Sequence, residues 1–232
     1  MIPLKDDNPT KNKSYVRLII LLICSLVFLL QISSDDYNFY TYYFGFKPST
    51  LFLNSDLPSF SPFLTLITSI FMHGGWMHFL GNMLYLWIFA DNIEDKMGTN
   101  KFIFFYLTSG IFASICHALM DISSDTPLIG ASGAIAGVLG AYLYLYPKAK
   151  ILVLIPFIIF FTIRIPALYL LIFWFFYQFI NLGSQGSNIA WVAHIGGFIF
   201  GLIYVIFFFK KTRSSNIKKG RSIFLKKKGP WN

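Results

Sequence analysis

Apolar residues run along this chain in long blocks rather than in the alternating or 3.6-periodic stripes of a water-facing domain. A membrane-crossing helix needs about 20 apolar residues for a hydrocarbon core ~30 Å thick. Six blocks read as such helices: Tyr15 to Ile32, Trp76 to Asp91, Phe102 to Met120, Ala131 to Tyr146, Ile165 to Leu182 and Ile189 to Phe209. A further apolar run, Ile151 to Ile163, stops at 13 residues, holds Pro156 and is bracketed by Lys148, Lys150 and Arg164. It reads as interfacial or re-entrant rather than spanning. The first block follows basic residues as a signal peptide does. The stretch Gln31 to Asp36 offers no small-residue cleavage site, so the block reads as an anchor.

Composition turns this pattern into a class. Only 12% of the 232 residues are charged and 56% are apolar, where a soluble domain carries roughly 25% charged residues. Too few polar side chains remain to cover a water-facing surface, which excludes a free-standing soluble enzyme and a disordered module. The expected fold class is an all-α polytopic membrane protein, a bundle of six transmembrane helices. Six spans put both termini on one side, and eighteen of the nineteen basic residues fall there, with Lys47 alone opposite. The positive-inside rule makes that side cytoplasmic. Three regions follow: residues 1–14 as a cytoplasmic N-terminal segment, 15–209 as the membrane domain and 210–232 as a basic cytoplasmic tail. The net charge of +9 is then topology plus attraction to membrane lipids, ~1 kcal/mol per basic residue near an anionic surface. Nucleic acid is not an expected partner, because the tail holds no folded motif. Cys24 and Cys116 lie inside apolar stretches and read as packing residues.

Polar side chains at membrane depth are costly, so each one is a candidate for function. The candidates are His78 and Asn82 in the second block, His117 with Asp121 at the outer end of the third, and Ser132 opening the fourth. Gln178 and Asn181 in the fifth and His194 in the sixth complete the set. At 1.5 Å rise per residue, Ser132 lies ~22 Å above the cytoplasmic face and His78 and His194 ~24 Å, a common level. Serine and histidine at one depth suggest a nucleophile and its base, since a serine hydroxyl is unreactive until an imidazole takes its proton. No carboxylate falls at that level, so a dyad is expected rather than a triad. His78 and Asn82, four apart on one helical face, can donate to a developing oxyanion. Gly197 and Gly201 read as a packing seam that meets Gly133, Gly137 and Gly140. His117 with Asp121 reads as an interfacial pair, His73 as a brace for its loop, and Gln178 and Asn181 as inter-helix hydrogen bonders. His-Glu-x-x-His and paired intramembrane aspartates are both missing, which excludes those protease chemistries. A channel or transporter lined by the same polar groups stays open.

Four motifs then stand together: His73-Gly-Gly-Trp-Met-His78-Phe-Leu-Gly-Asn82, Glu94-Asp-Lys-Met-Gly98, Gly130-Ala-Ser-Gly133, and Ala193-His194-Ile-Gly-Gly197 with Gly201. From about Phe63 to Phe209 the chain resembles the rhomboid intramembrane serine proteases. The resemblance implies a rhomboid-like six-helix bundle that cleaves membrane-anchored, single-span substrates near the outer face. By it, Ser132 is the nucleophile, His194 the base, and His78 and Asn82 serve the oxyanion, with neither metal nor cofactor. The alternative it leaves is a catalytically inactive relative that binds transmembrane clients. The expected location is a bacterial inner membrane. Two departures stand out. Many members carry an aromatic four residues after the serine, stacked on the histidine, where this chain has Ala136. The Trp-Arg pair of the first outer loop is also missing between Ser33 and Met72. That loop, with its cluster from Phe39 to Phe46, and the aromatic run Phe173 to Phe176 are expected to control access to the site.

Overall fold

Strand β1 (Ile2–Asp6) comes before any helix, inside the segment expected to precede the membrane domain. Helix α1 (Tyr15–Ser33) follows, then three short helices, α2 (Tyr37–Phe44), α3 (Pro48–Phe52) and α4 (Pro62–Thr68), and a 3-10 turn at Ser69–Phe71. The long helices α5 (Trp76–Met97) and α6 (Thr99–Ala118) lead to α7 (Ser132–Leu145). Strands β2 (Lys150–Ile155) and β3 (Phe161–Pro166) precede α8 (Ala167–Ile180) and α9 (Trp191–Phe208). This computed structural model describes residues 1–34, 36–155, 161–182 and 190–209. The basic tail 210–232, Ile189 and Pro156 lie outside the described residues.

The chain is mostly helical, as expected, but its apolar blocks are not equivalent. Helices α1, α6 and α9 are long and apolar enough to cross a membrane, and α4 with α5 makes a fourth if their 81° bend is taken within one span. At 14 residues each, α7 and α8 reach only ~21 Å. Helix α7 has no need to match a bilayer, because every residue from Gly133 to Tyr142 is buried against other helices.

The expectation of an all-α chain needs correction at the 13-residue run. Its two ends lie in antiparallel strands, β2 pairing with β3 from Lys150↔Pro166 to Ile155↔Phe161. Strand β1 pairs with the other edge of β2, from Ile2↔Leu154 to Asp6↔Ile151. Ile151 and Val153 are fully buried while Lys150 is exposed, a period-two pattern on one face. An unbroken apolar sequence hid that period.

Two sets of contacts fix the helices that carry the polar residues. Backbone amides of Val16 and Arg17 donate to the Glu94 carboxylate at 2.9 and 2.8 Å, so Glu94 caps the first turn of α1 from another helix. At the opposite end, Gln31 accepts from the His73 amide at 3.1 Å and donates to its carbonyl at 3.3 Å. In the outer loop Lys47 is fully buried. Its Nζ donates to the carbonyls of Tyr42 and Pro58 and sits 4.2 Å from the Tyr42 ring centroid. The loop is thereby pinned without the Trp-Arg pair. Phe46 and Leu128 exchange backbone hydrogen bonds of 3.1 and 2.8 Å, which ties it to the turn before Ser132.

Candidate active site

Ser132 is the first residue of α7, and its place depends on the turn before it. Gly130 holds φ +125°, and its amide donates to the Ser69 carbonyl at 2.9 Å. A side chain there would be strained and would lie 2.7 Å from His78 Nε2. Glycine therefore brings the backbone, the serine and the imidazole of His78 into one corner.

The glycine seam places the other partner. A Cβ on Gly201 would fall on the Gly137 carbonyl, one on Gly197 on the Gly133 carbonyl, and one on Gly140 on the Phe198 carbonyl. Helices α7 and α9 thus touch backbone to backbone, as small residues allow. The contact brings His194, in the first turn of α9, to Ser132: Nε2 lies 2.8 Å from Oγ. His194 Nδ1 lies 2.9 Å from Gln178 Oε1 on α8, and Gln178 Nε2 donates to the Trp174 carbonyl at 2.7 Å. Two indole rings flank the imidazole, Trp174 at a centroid distance of 5.8 Å and Trp191 at 6.1 Å.

On α5, His78 Nδ1 accepts from the Gly74 amide at 3.2 Å. A neutral His78 then carries its proton on Nε2, the atom that faces Gly130. Asn82, one turn on, is buried, and its Nδ2 has no hydrogen-bond partner among the described residues. Ser132, His194, His78 and Asn82 line one cavity of about 760 Å³ together with Trp174 and Gly130. An arrangement of hydroxyl, imidazole and unspent N–H donors around one space can perform acyl transfer. No three His, Cys, Asp or Glu side chains converge as metal ligands among the described residues.

Of the polar residues singled out from sequence, these four and Gln178 come together and the rest do not. His117 and Asp121 form no i, i+4 pair, because α6 ends at Ala118. Asp121 instead accepts from the Ser123 amide and hydroxyl at 3.0 and 2.6 Å. Among the described residues, Asn181 donates to the Tyr177 carbonyl, within its own helix turn. His73 is buried and braces its loop through the backbone, as expected. The aromatic run of α8 splits: Trp174 and Phe175 pack on Phe198, while Phe173 and Phe176 are 55% and 59% exposed. Sequence reasoning saw Gln178 as an inter-helix hydrogen bonder and missed that His194 is its partner. The signal was present, since Gln178 lies two residues from the end of α8 and His194 three residues into α9, at one depth.

Comparison with known proteins adds a separate line. Residues 61–211 match the family model described as Rhomboid domain. The chain is 29% identical over 177 residues to Rhomboid protein 1, mitochondrial, of Saccharomyces cerevisiae, covering 72% of this chain and 47% of that protein. It is 32% identical over 200 residues to Rhomboid protease GluP of Bacillus subtilis, covering 85% and 34%. It is 30% identical over 151 residues to Presenilin-associated rhomboid-like protein A, mitochondrial, of Danio rerio, covering 61% and 37%. The matched part thus spans a third to a half of the length of these relatives.

Proposed function

This chain belongs to the rhomboid family, and from that premise we propose that it is an intramembrane serine endopeptidase. The observation that carries the reading is the 2.8 Å hydrogen bond between Ser132 Oγ and His194 Nε2 in the wall of a cavity lined by spare donors. As Oγ attacks a peptide carbonyl, His194 takes its proton. The oxyanion accepts from His78 Nε2 and Asn82 Nδ2. Collapse expels the amine, which leaves with the proton held by His194, and water then hydrolyses the Ser132 ester by the same route in reverse. Amides at the start of α7 face the same charge. A client-binding role without catalysis has no observation in its favour, since nucleophile and base are both present and bonded.

Helices α1, α5, α6, α7, α8 and α9 are the six spans in this reading, with residues 1–14 and 210–232 on the cytoplasmic side of the domain 15–209. The protein is integral to a membrane; the expectation of a bacterial inner membrane finds no support in relatives named as mitochondrial. Its substrates are single-span proteins whose helix is weak near the outer interface. Attack needs an extended backbone, and a stable helix in lipid keeps every amide bonded. A Gly-Ala break lowers that cost. In liposomes, a model substrate with such a break is expected to be cut faster than a uniform poly-Leu span, and equal rates would remove the substrate proposal. The protease reading itself is tested by fluorophosphonate labelling of the purified chain. Label is expected on Ser132 and absent in Ser132→Ala; cleavage surviving in Ser132→Ala would overturn the assignment.

A further inference from the structure

We infer that Gln178 is the positioning residue that selects the ring tautomer of His194 able to accept the Ser132 proton; this rests on the serine-protease reading above. Donors and acceptors decide the assignment. The Trp174 carbonyl can only accept, so the end of the Gln178 amide that faces it at 2.7 Å is the NH₂ group. The Gln178 carbonyl oxygen is therefore turned to α9, 2.9 Å from His194 Nδ1. That oxygen also only accepts, so Nδ1 carries the ring proton. A neutral imidazole has one, and Nε2 is left with its lone pair aimed at Ser132 Oγ, 2.8 Å away.

Gln178 is 2% exposed, which leaves little room for a water molecule to take over its contact. Helix α8 thus supplies from one face the acceptor, its carbonyl anchor and the Trp174 ring that lies 5.8 Å from the imidazole. An aromatic from α7 has no space, because Ala136 is fully buried at the α7–α9 crossing, where a Cβ on Gly197 would lie 3.3 Å from its own. An amide also orients the imidazole without placing a charge at membrane depth. It lends the imidazolium no countercharge, so orientation is its whole contribution.

The test uses the full chain in liposomes with ¹⁵N-labelled histidine, read by NMR, beside turnover of a model transmembrane substrate. Gln178→Met keeps the side-chain length and removes the acceptor; Gln178→Glu keeps the acceptor. In the wild type, His194 is expected as the Nδ1–H tautomer. Gln178→Met is expected to mix the tautomers and to lower kcat about 10- to 100-fold, the scale seen when the group orienting a metal-bound histidine is lost, with KM unchanged. Gln178→Glu is expected to keep the Nδ1–H signal and to move the acidic limb of the rate profile to higher pH, since a carboxylate favours the imidazolium. A packing role moves neither readout. An unchanged tautomer in Gln178→Met, or unchanged kcat despite mixed tautomers, overturns the inference. A wild-type chain that never labels or cleaves, while Gln178→Met still mixes the tautomers, overturns the protease reading and supports Gln178 as the group that sets the ring.

Discussion

Ser132 and His194 are ordinary residues until one hydrogen bond joins them, so their contributions to rate are expected to be inseparable. Replacing either by alanine should cost about as much as replacing both, because cooperating catalytic groups are far from additive. Loss of His78 or Asn82 should cost less, on the order of 10²- to 10³-fold for one oxyanion donor. Single and double variants assayed on one substrate in liposomes check this, with thermal unfolding followed in parallel. Additive penalties for Ser132→Ala and His194→Ala would mean that the two act in separate steps. Both residues stood out in the sequence as polar groups within apolar blocks, and helical rise led to the expectation of a common depth. Gln178 was legible only as a polar group needing a partner, since an apolar helix with one glutamine does not say which neighbour the amide meets.

Between elements, what matters is how closely α7 and α9 approach. Gly201→Ala drives a Cβ into the Gly137 carbonyl, whereas a Cβ at Gly81 meets nothing within 4 Å. Overpacking of this kind costs about 1–3 kcal/mol, while glycine to alanine inside a helix adds about 0.5–1 kcal/mol of stability. Thermal unfolding should therefore fall for Gly201→Ala and not for Gly81→Ala, and fluorophosphonate labelling should slow in Gly201→Ala as Ser132 and His194 part. Equal stability of the two variants would show that the seam tolerates a methyl group. The aromatic run of α8 separates in the same way. Phe173 and Phe176 face outward, so cutting both to alanine is expected to speed entry of a transmembrane substrate. Trp174→Ala removes the ring beside His194 and is expected to slow cleavage of any substrate. Cleavage rates of the two variants on one transmembrane substrate check the split; a gate acting as one cluster would give both the same sign.

Across the whole molecule, the N-terminal strand clasps the end of the bundle opposite the site. Asp6 Oδ2 accepts from Tyr142 on α7 and Asn92 on α5, each at 2.8 Å. Arg164 on β3 donates to Asp7 at 3.0 Å. Burial pushes the Asp6 carboxyl up to about 6, the charges of Asp91 and Asp7 add to this, and the hydrogen bond from Tyr142 opposes it. With its folded pKa above the ordinary carboxylate value of 3.8, the folded chain holds this proton more tightly than the unfolded one. The stability it contributes is full below pH ~4 and is lost as pH rises through about 6. Thermal unfolding of wild type minus Asp6→Asn is expected to fall between pH 4 and 7. A flat difference would remove the clasp as a pH-dependent element.

The sequence by itself determined the membrane class; the side on which charge gathers and the common level of Ser132, His78 and His194 are expectations read from it. Those properties follow from how many apolar residues cross a given thickness and from a constant helical rise. It also carried the motifs that resemble the rhomboid family. What only the tertiary structure decided depends on which surfaces touch. The β1–β2–β3 sheet needed a partner strand some 150 residues away in sequence, and an apolar run cannot announce its period when both faces are greasy. The cap of α1 by Glu94, the pinning of the outer loop by Lys47 and the hold of Gln178 on His194 all join residues from different elements. A hydrogen bond is specific to angle and distance within a few tenths of an ångström. Helical rise gives a residue its depth but not its direction, and direction is settled only when the glycine seam locks α9 against α7.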